Sequence, residues 1–252
     1  MKRLLGLLRC TWQDVSPWIA PDFCAVCKHK LRPYEDGICL ECLLHLPLTG
    51  FRAQPGNPTE LQLSTIGTRM VRASSFIYYH HGGSYSRIFQ EFKYHHHPQV
   101  ARAMGRLMAH DLLSTGFFDS INAIIPVPLT PKREAERGYN QCSLMGKGIE
   151  DVTGIPVWEG VLIRRHFKGS QTRLTPEERE ENVVNAFHLQ HAERIEGCHI
   201  LVLDDVITYG HTLRACINEL LQAERCTVSV LTLGTSRTVH HWKLPEHIHP
   251  WD

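Results

Sequence analysis

The stretch "ILVLDDVITYGHTLRACINEL", residues Ile200 to Leu220, decides the fold. Apolar residues run into two adjacent carboxylates, Asp204 and Asp205, and then Thr208, Gly210 and Thr212 immediately precede an amphipathic run. The unbroken apolar residues predict a strand buried on both faces, residues 212–222 a helix, and "CTVSVLTL" (226–233) the next strand. Strand, helix and strand at this spacing make a right-handed crossover in a parallel sheet, so the fold class is α/β. In such sheets ligands lie beyond the carboxyl ends of the strands, where loops run into helix amino termini. Thr208, Tyr209, Gly210, His211 and Thr212 can there turn backbone N–H groups and two hydroxyls toward one anion, where the helix dipole favours negative charge. The aspartates then flank a cationic or hydroxyl-bearing part of the same ligand, and a phosphorylated sugar supplies both. The plain alternative is a strand that ends in solvated acids at a helix cap.

Outward from this unit the same alternation continues. "ASSFIYYH" (73–80) reads as a strand, and "SRIFQEFKY" and "QVARAMGRLMAHDLL" (99–113) read as helices separated at His97-Pro98. "NAIIPVPL" (122–129) is a short apolar run ending at prolines, residues 140–154 a helix closed by a glycine, and "GVLIRRH" a strand. Thr175, Pro176 and Glu178 form the cap, first-turn proline and capping box of a helix over 175–187. Residues 49–60, "TGFRAQPGNPTE", carry prolines, glycines and little that could pack, and read as a linker. The expected organisation is a cysteine-bearing segment over 1–50, a main domain over 61–240 and a His-rich tail over 241–252.

Composition narrows the classes. At 252 residues, 42% hydrophobic and 21% charged, the chain fits one sizeable globular core with a small appendage. A net charge of +1 supplies no global field for polyanions, so any anion site must be local. The beginning, "MKRLLGLLRCTW", reads as a short amphipathic helix, because Arg9 interrupts the apolar run. No stretch of about 18 uninterrupted apolar residues occurs, so no membrane span is expected. Nine cysteines, an odd number with scattered members, indicate a reducing compartment, and the cytoplasm is the expected location.

Four of those cysteines are different. Cys24, Cys27, Cys39 and Cys42 have the form C-x₂-C-x₁₁-C-x₂-C, and two such knuckles can present four thiolates tetrahedrally to zinc. Four protein ligands leave no open position, so the expected site is structural. Lys28, Lys30 and Arg32 between the pairs raise the alternative of nucleic-acid contact. No G-x-x-x-x-G-K-[ST] loop accompanies the acidic strand, and "GKGIED" (146–151) lies in a helix and lacks the third glycine of a dinucleotide fingerprint. The His tracts, "HHH" at 95–97 and the tail, lack supporting ligands and read as exposed loops.

The run of apolar residues, Asp-Asp, apolar, Thr, x, Gly, x, Thr resembles the signature of type I phosphoribosyltransferases, with Tyr209 where that family usually has a second Thr. Three further stretches sharpen this to a resemblance to the ComF/GntX-like family: "PVPLTPKREAERGYNQ" (126–141), "KGSQTRLTPEEREENVVNAF" (168–187) and the cysteine pairs. The resemblance covers roughly residues 20 to 235. It implies a phosphoribosyltransferase-like parallel sheet flanked by helices, with a small N-terminal four-cysteine zinc ribbon. It implies phosphoribosyl pyrophosphate (PRPP) as ligand, with Mg²⁺, the 5′-phosphate in the Thr208–Thr212 loop and the ribose hydroxyls on Asp204 and Asp205, partly through magnesium waters. Competence or utilisation of imported DNA is the implied setting, with single-stranded DNA and DNA-uptake proteins as partners. Phosphoribose transfer to an unidentified acceptor and non-catalytic PRPP sensing both remain open.

Leaving pyrophosphate needs cations. Lys132, Arg133 and Arg137 follow the apolar run 122–129 and are the candidates, although Glu134 and Glu136 could pair with them on a solvated helix face. Gly138 permits close backbone approach and Asn140 can cap the next helix. The basic, glycine-containing stretch 164–175 suits a lid, with Lys168, Gln171 and Arg173 as its candidates, or an ordinary exposed hairpin. Lys93 is a weaker candidate for the same pocket.

Overall fold

A computed structural model of the chain describes residues 23–94, 97–165 and 186–236. Its centre is a four-stranded sheet in the order β1 (Met70–Tyr79), β6 (Thr227–Ser236), β5 (His199–Ile207), β2 (Ala123–Pro126), and every neighbouring pair is parallel. The crossover expected from Ile200–Leu220 is present: β5 leads into helix α7 (His211–Leu220) and then into β6 beside it. All of β5 is buried except half-buried Val206, which is why its sequence shows no polar alternation until the carboxylates.

Alternate residues of the strands feed two cores. Ile124, Leu201, Leu203, Leu231 and Leu233 face helices α3 (Ser86–Tyr94), α4 (Pro98–Leu112) and α6 (Gln141–Thr153). Ile125, Ile200, Val202, Val228 and Val230 face α7 and the two-stranded antiparallel unit of β3 (Leu162–Arg164) and β4 (Phe187–Leu189). The "GVLIRRH" strand thus lies outside the main sheet. Of the helix expected over 175–187, all but the last two residues lie outside the described residues, and Phe187, buried, already begins β4.

Helices α4 and α6 cross backbone to backbone. A Cβ placed on Gly105 would stand 2.0 Å from the Met145 carbonyl oxygen, and one on Gly148 would stand 2.0 Å from that of Arg102. Gly148 in "GKGIED" therefore serves helix packing.

Two expectations need correction. Residues 49–60 are not a free linker: Ala53, Asn57 and Thr59 are buried along the outer edge of β1. Asn57 accepts from the Thr59 and Glu60 amides at 2.9 and 3.3 Å, capping helix α2 (Pro58–Leu63), and its Nδ2 donates to the Ala73 carbonyl at 2.7 Å. The prolines and glycines are thus a cap, a first helical turn and tight turns that cover a sheet edge. The cysteine segment, which includes helix α1 (Leu40–Leu44), is likewise no separate appendage, because Ala25, Val26, Ile38 and Leu46 share one core with Phe89, Phe92 and Val100. The amphipathic beginning, His95, His96 and the His-rich tail lie outside the described residues. Among the described residues, no helix is long and apolar enough to cross a membrane.

Candidate functional site

At the carboxyl half of β5 both aspartates are buried, Asp204 at 9% and Asp205 at 8% exposure. A buried carboxylate needs donors or a counter-ion, and the structure supplies both. The Asp205 amide donates to Asp204 Oδ1 at 2.8 Å, and the Cys142 thiol lies 3.7 Å from the same oxygen. Asp205 Oδ2 accepts from Gln141 Nε2 at 2.7 Å and pairs with Lys93 Nζ at 2.9 Å. Burial, and next the neighbouring Asp205, push the Asp204 carboxyl up to about 7. Burial pulls Lys93 down, but the Asp205 carboxylate outweighs it and holds the ammonium above the usual lysine range. Burial, and then both aspartates, raise the Cys142 thiol well above its ordinary value, so it stays protonated.

Beyond β5 the chain turns through Thr208, Tyr209 and Gly210, which takes φ +78° at the N-cap of α7. Among the described residues no side chain caps that helix, so its first amides keep their donor capacity. Thr208, Tyr209 and His211 are exposed and Thr212 half-buried, with the Tyr209 and His211 rings 6.1 Å apart. The turn is held from outside. Arg214 donates to the Tyr209 and Gln62 carbonyls at 2.8 and 2.5 Å, and Gln62 donates in turn to the Thr208 carbonyl.

The candidate cations divide. Lys132 and Arg133 lie exposed on helix α5 (Pro131–Arg137), Lys132 toward Glu136 at 3.9 Å. Arg137 instead donates to Gln141 Oε1 at 2.6 Å, with its guanidinium 5.8 Å from the Tyr94 ring centroid. Gln141 bridges Arg137 to Asp205. Asn140 caps α6 by accepting from the Cys142 amide at 2.9 Å, which aims Gln141 and Cys142 at the acidic pair. Lys168, Gln171 and Arg173 lie outside the described residues.

Sequence reasoning missed Gln141, Cys142, Gln62 and Arg214, and gave Lys93 a different partner. Lys93 carried a signal: it lies one turn after buried Phe89, which puts its stem on the inward face of α3, the ammonium 5.7 Å from that ring centroid. Gln141 followed the predicted cap directly. Gln62 and Arg214 act through backbone carbonyls, which no side-chain motif records.

In the cysteine segment, the sulfurs of Cys24, Cys27, Cys39 and Cys42 all lie within 4.8 Å of one another, as a shared metal requires. The Val26 and Cys39 amides donate to Cys24 Sγ, each at 3.4 Å, and such bonds stabilise a thiolate ligand. This four-sulfur set fits zinc. Lys28, its side chain 48% exposed, pairs through its ammonium with Glu91, 2% exposed, which also accepts from His97 Nδ1 at 2.6 Å. Lys30 is exposed, and Arg32 donates to the Tyr34 hydroxyl at 2.7 Å.

No protein-family model matches the chain. Curated proteins match over most of their length, two of them as follows. The DNA utilization protein YhgH of Salmonella typhimurium is 28% identical over 228 residues, 84% of this chain and 96% of that protein. Competence protein F of Haemophilus influenzae is 27% identical over 207 residues, 79% of this chain and 90% of that one. Among solved structures, a hypothetical protein from Neisseria gonorrhoeae with bound ppGpp overlaps 59% of this chain and 74% of its own at TM-score 0.37 and 17% identity. Glutamine PRPP amidotransferase from B. subtilis overlaps 57% and 30% at TM-score 0.36 and 21% identity. By sequence, this chain is similar to a DNA utilization protein and to a competence protein F over most of its length.

Proposed function

We propose that the chain binds PRPP with Mg²⁺ at the carboxyl end of β5 and transfers phosphoribose to an acceptor in the utilisation of imported DNA. One observation carries this: a buried acidic pair followed, across a glycine turn, by a helix N-terminus without a side-chain cap. A sugar phosphate satisfies both halves, its phosphate at the α7 amides and the Thr208–Thr212 turn, its hydroxyls at Asp204 and Asp205. Two carboxylates suit Mg²⁺, which keeps most of its water and, when bound, would neutralise charge on the pyrophosphate. Transfer breaks the bond from C1 to pyrophosphate, which departs with the bonding electrons, and joins C1 to the acceptor. Arg137 supports the leaving group beside Gln141, with Lys132, Arg133 and Lys168 as further cations. The setting in DNA utilisation rests on what the two relatives are named for. The four cysteines hold a structural zinc, and the free thiols fit a reducing cytoplasm. Lys28, Lys30 and Arg32 are the ribbon cations we assign to single-stranded DNA, whose binding would weaken with added salt.

The exposed placement of Lys132 and Arg133, away from the acidic pair's own hydrogen bonds, favours a second reading in which PRPP is sensed without turnover. Calorimetry decides the site: Mg²⁺-dependent PRPP binding should vanish in the Asp204→Asn, Asp205→Asn double variant, and unchanged affinity would remove the assignment. Pyrophosphate release with a panel of bases, nucleosides and DNA separates the readings, since release no faster than the double variant's leaves only sensing.

A further inference from the structure

The acidic pair already holds a cation. Lys93 Nζ lies 2.9 Å from Asp205 Oδ2, its side chain is 22% exposed, and its stem passes the Phe89 ring. Gln141 donates to the same Asp205 oxygen. This oxygen therefore has an ammonium and an amide on it before any ligand arrives.

The separate parts of a ligand meet this arrangement differently. A divalent cation alone must displace the ammonium and leave it confined by Phe89 without its carboxylate, at a desolvation cost. A phosphate alone gains the α7 amides but leaves the Lys93–Asp205 pair as it was. A metal-complexed sugar pyrophosphate does both: its hydroxyls and metal replace the ammonium at Asp205, and its phosphate oxygens receive the displaced charge. We propose that Lys93 is the resident counter-ion of Asp205 and makes the site selective for a metal-complexed, anionic sugar ligand over the bare metal or bare phosphate. Lys93 is thus a specificity-determining residue, and Gln141 holds Asp205 in place during the exchange. The identity of the sugar ligand rests on the PRPP reading; the counter-ion role does not, because it can be measured with metal alone.

The experiment uses the full chain with Mn²⁺ in place of Mg²⁺, bound metal being read by electron paramagnetic resonance, alongside calorimetry with PRPP and Mg²⁺. Lys93→Met should bind Mn²⁺ alone about ten-fold or more tighter than the unaltered protein, and PRPP with Mg²⁺ about ten-fold or more weaker, opposite shifts that lost packing would not produce. Lys93→Gln is the second variant, for use if Lys93→Met loses near-ultraviolet circular dichroism, and should shift both affinities the same way as Lys93→Met. Asp205→Asn should abolish the gain in Mn²⁺ affinity. Mn²⁺ affinity unchanged by a folded Lys93 variant, or metal and PRPP affinities moving together, would overturn the proposal while leaving PRPP binding intact. If the unaltered protein bound no PRPP, the functional reading would fall, and the Mn²⁺ comparison would still decide whether Lys93 guards the pair.

Discussion

A carboxylate buried beside another carboxylate weakens the fold whenever it is ionised, and Asp204 is such a group. Its folded value, about 7, stands above the ordinary 3.8, so the folded chain holds a proton that the unfolded chain releases. Folding stability is therefore expected to fall as pH rises from near 4 to near 7 and to level off above. Asp204→Asn keeps an acceptor for the Asp205 amide and removes the charge. The variant should match the unaltered protein in the free energy of urea unfolding near pH 4 and exceed it by an amount that grows to about 1 kcal/mol or more at pH 8. A stability gap independent of pH would refute this account of Asp204. The acidic pair and Gly210 were legible because their chemistry is local, a carboxylate doublet and a glycine turn within a few residues. Gln141 was not, and Lys93 was read toward the pocket but with another partner, because what defines both is an oxygen contributed by a strand far along the chain.

Strands and helices read well where burial sets a period, as in β5, α7 and β6, and poorly where polar residues do structural work. Asn57 and Pro58 look like chain breakers and are the cap and first turn of α2. Gly148 showed in the sequence only as part of a failed dinucleotide fingerprint, yet it and Gly105 set the distance between α4 and α6. A methyl group at Gly105 or Gly148 would meet a carbonyl oxygen at 2.0 Å, and a backbone atom cannot turn aside as a flexible side chain would. Gly148→Ala should therefore cost about 2–3 kcal/mol in urea unfolding, near the top of the range for overpacking. Gly138→Ala tests the contrast. No atom of the described residues lies within 4 Å of its added Cβ and the left-handed φ of +80° opposes it, so about 1 kcal/mol is expected. Equal losses at the two positions would show that α4 and α6 can separate freely.

Across the whole molecule, α3 joins the cysteine cluster to the acidic pair. At its start, Tyr85 donates to the Cys42 carbonyl at 3.1 Å and Arg87 to the Val26 carbonyl at 2.9 Å; further on, Glu91 pairs with Lys28, and at the end Lys93 reaches Asp205. The cysteine spacing announced a metal site, but nothing in it announced that Ala25, Val26 and Ile38 would complete the core of Phe89 and Phe92. Such sharing predicts that the ribbon unfolds together with the body. The protein is expected to hold about one equivalent of zinc, lost in the Cys24→Ser, Cys27→Ser double variant, as metal analysis will show. That loss should lower the melting temperature of the body itself, followed by far-ultraviolet circular dichroism, in a single transition. A ribbon that served only as a local staple would instead leave the main transition in place. Two separate transitions, with the body's midpoint unmoved in the double variant, would therefore show that α3 carries no load between the cysteine cluster and the sheet.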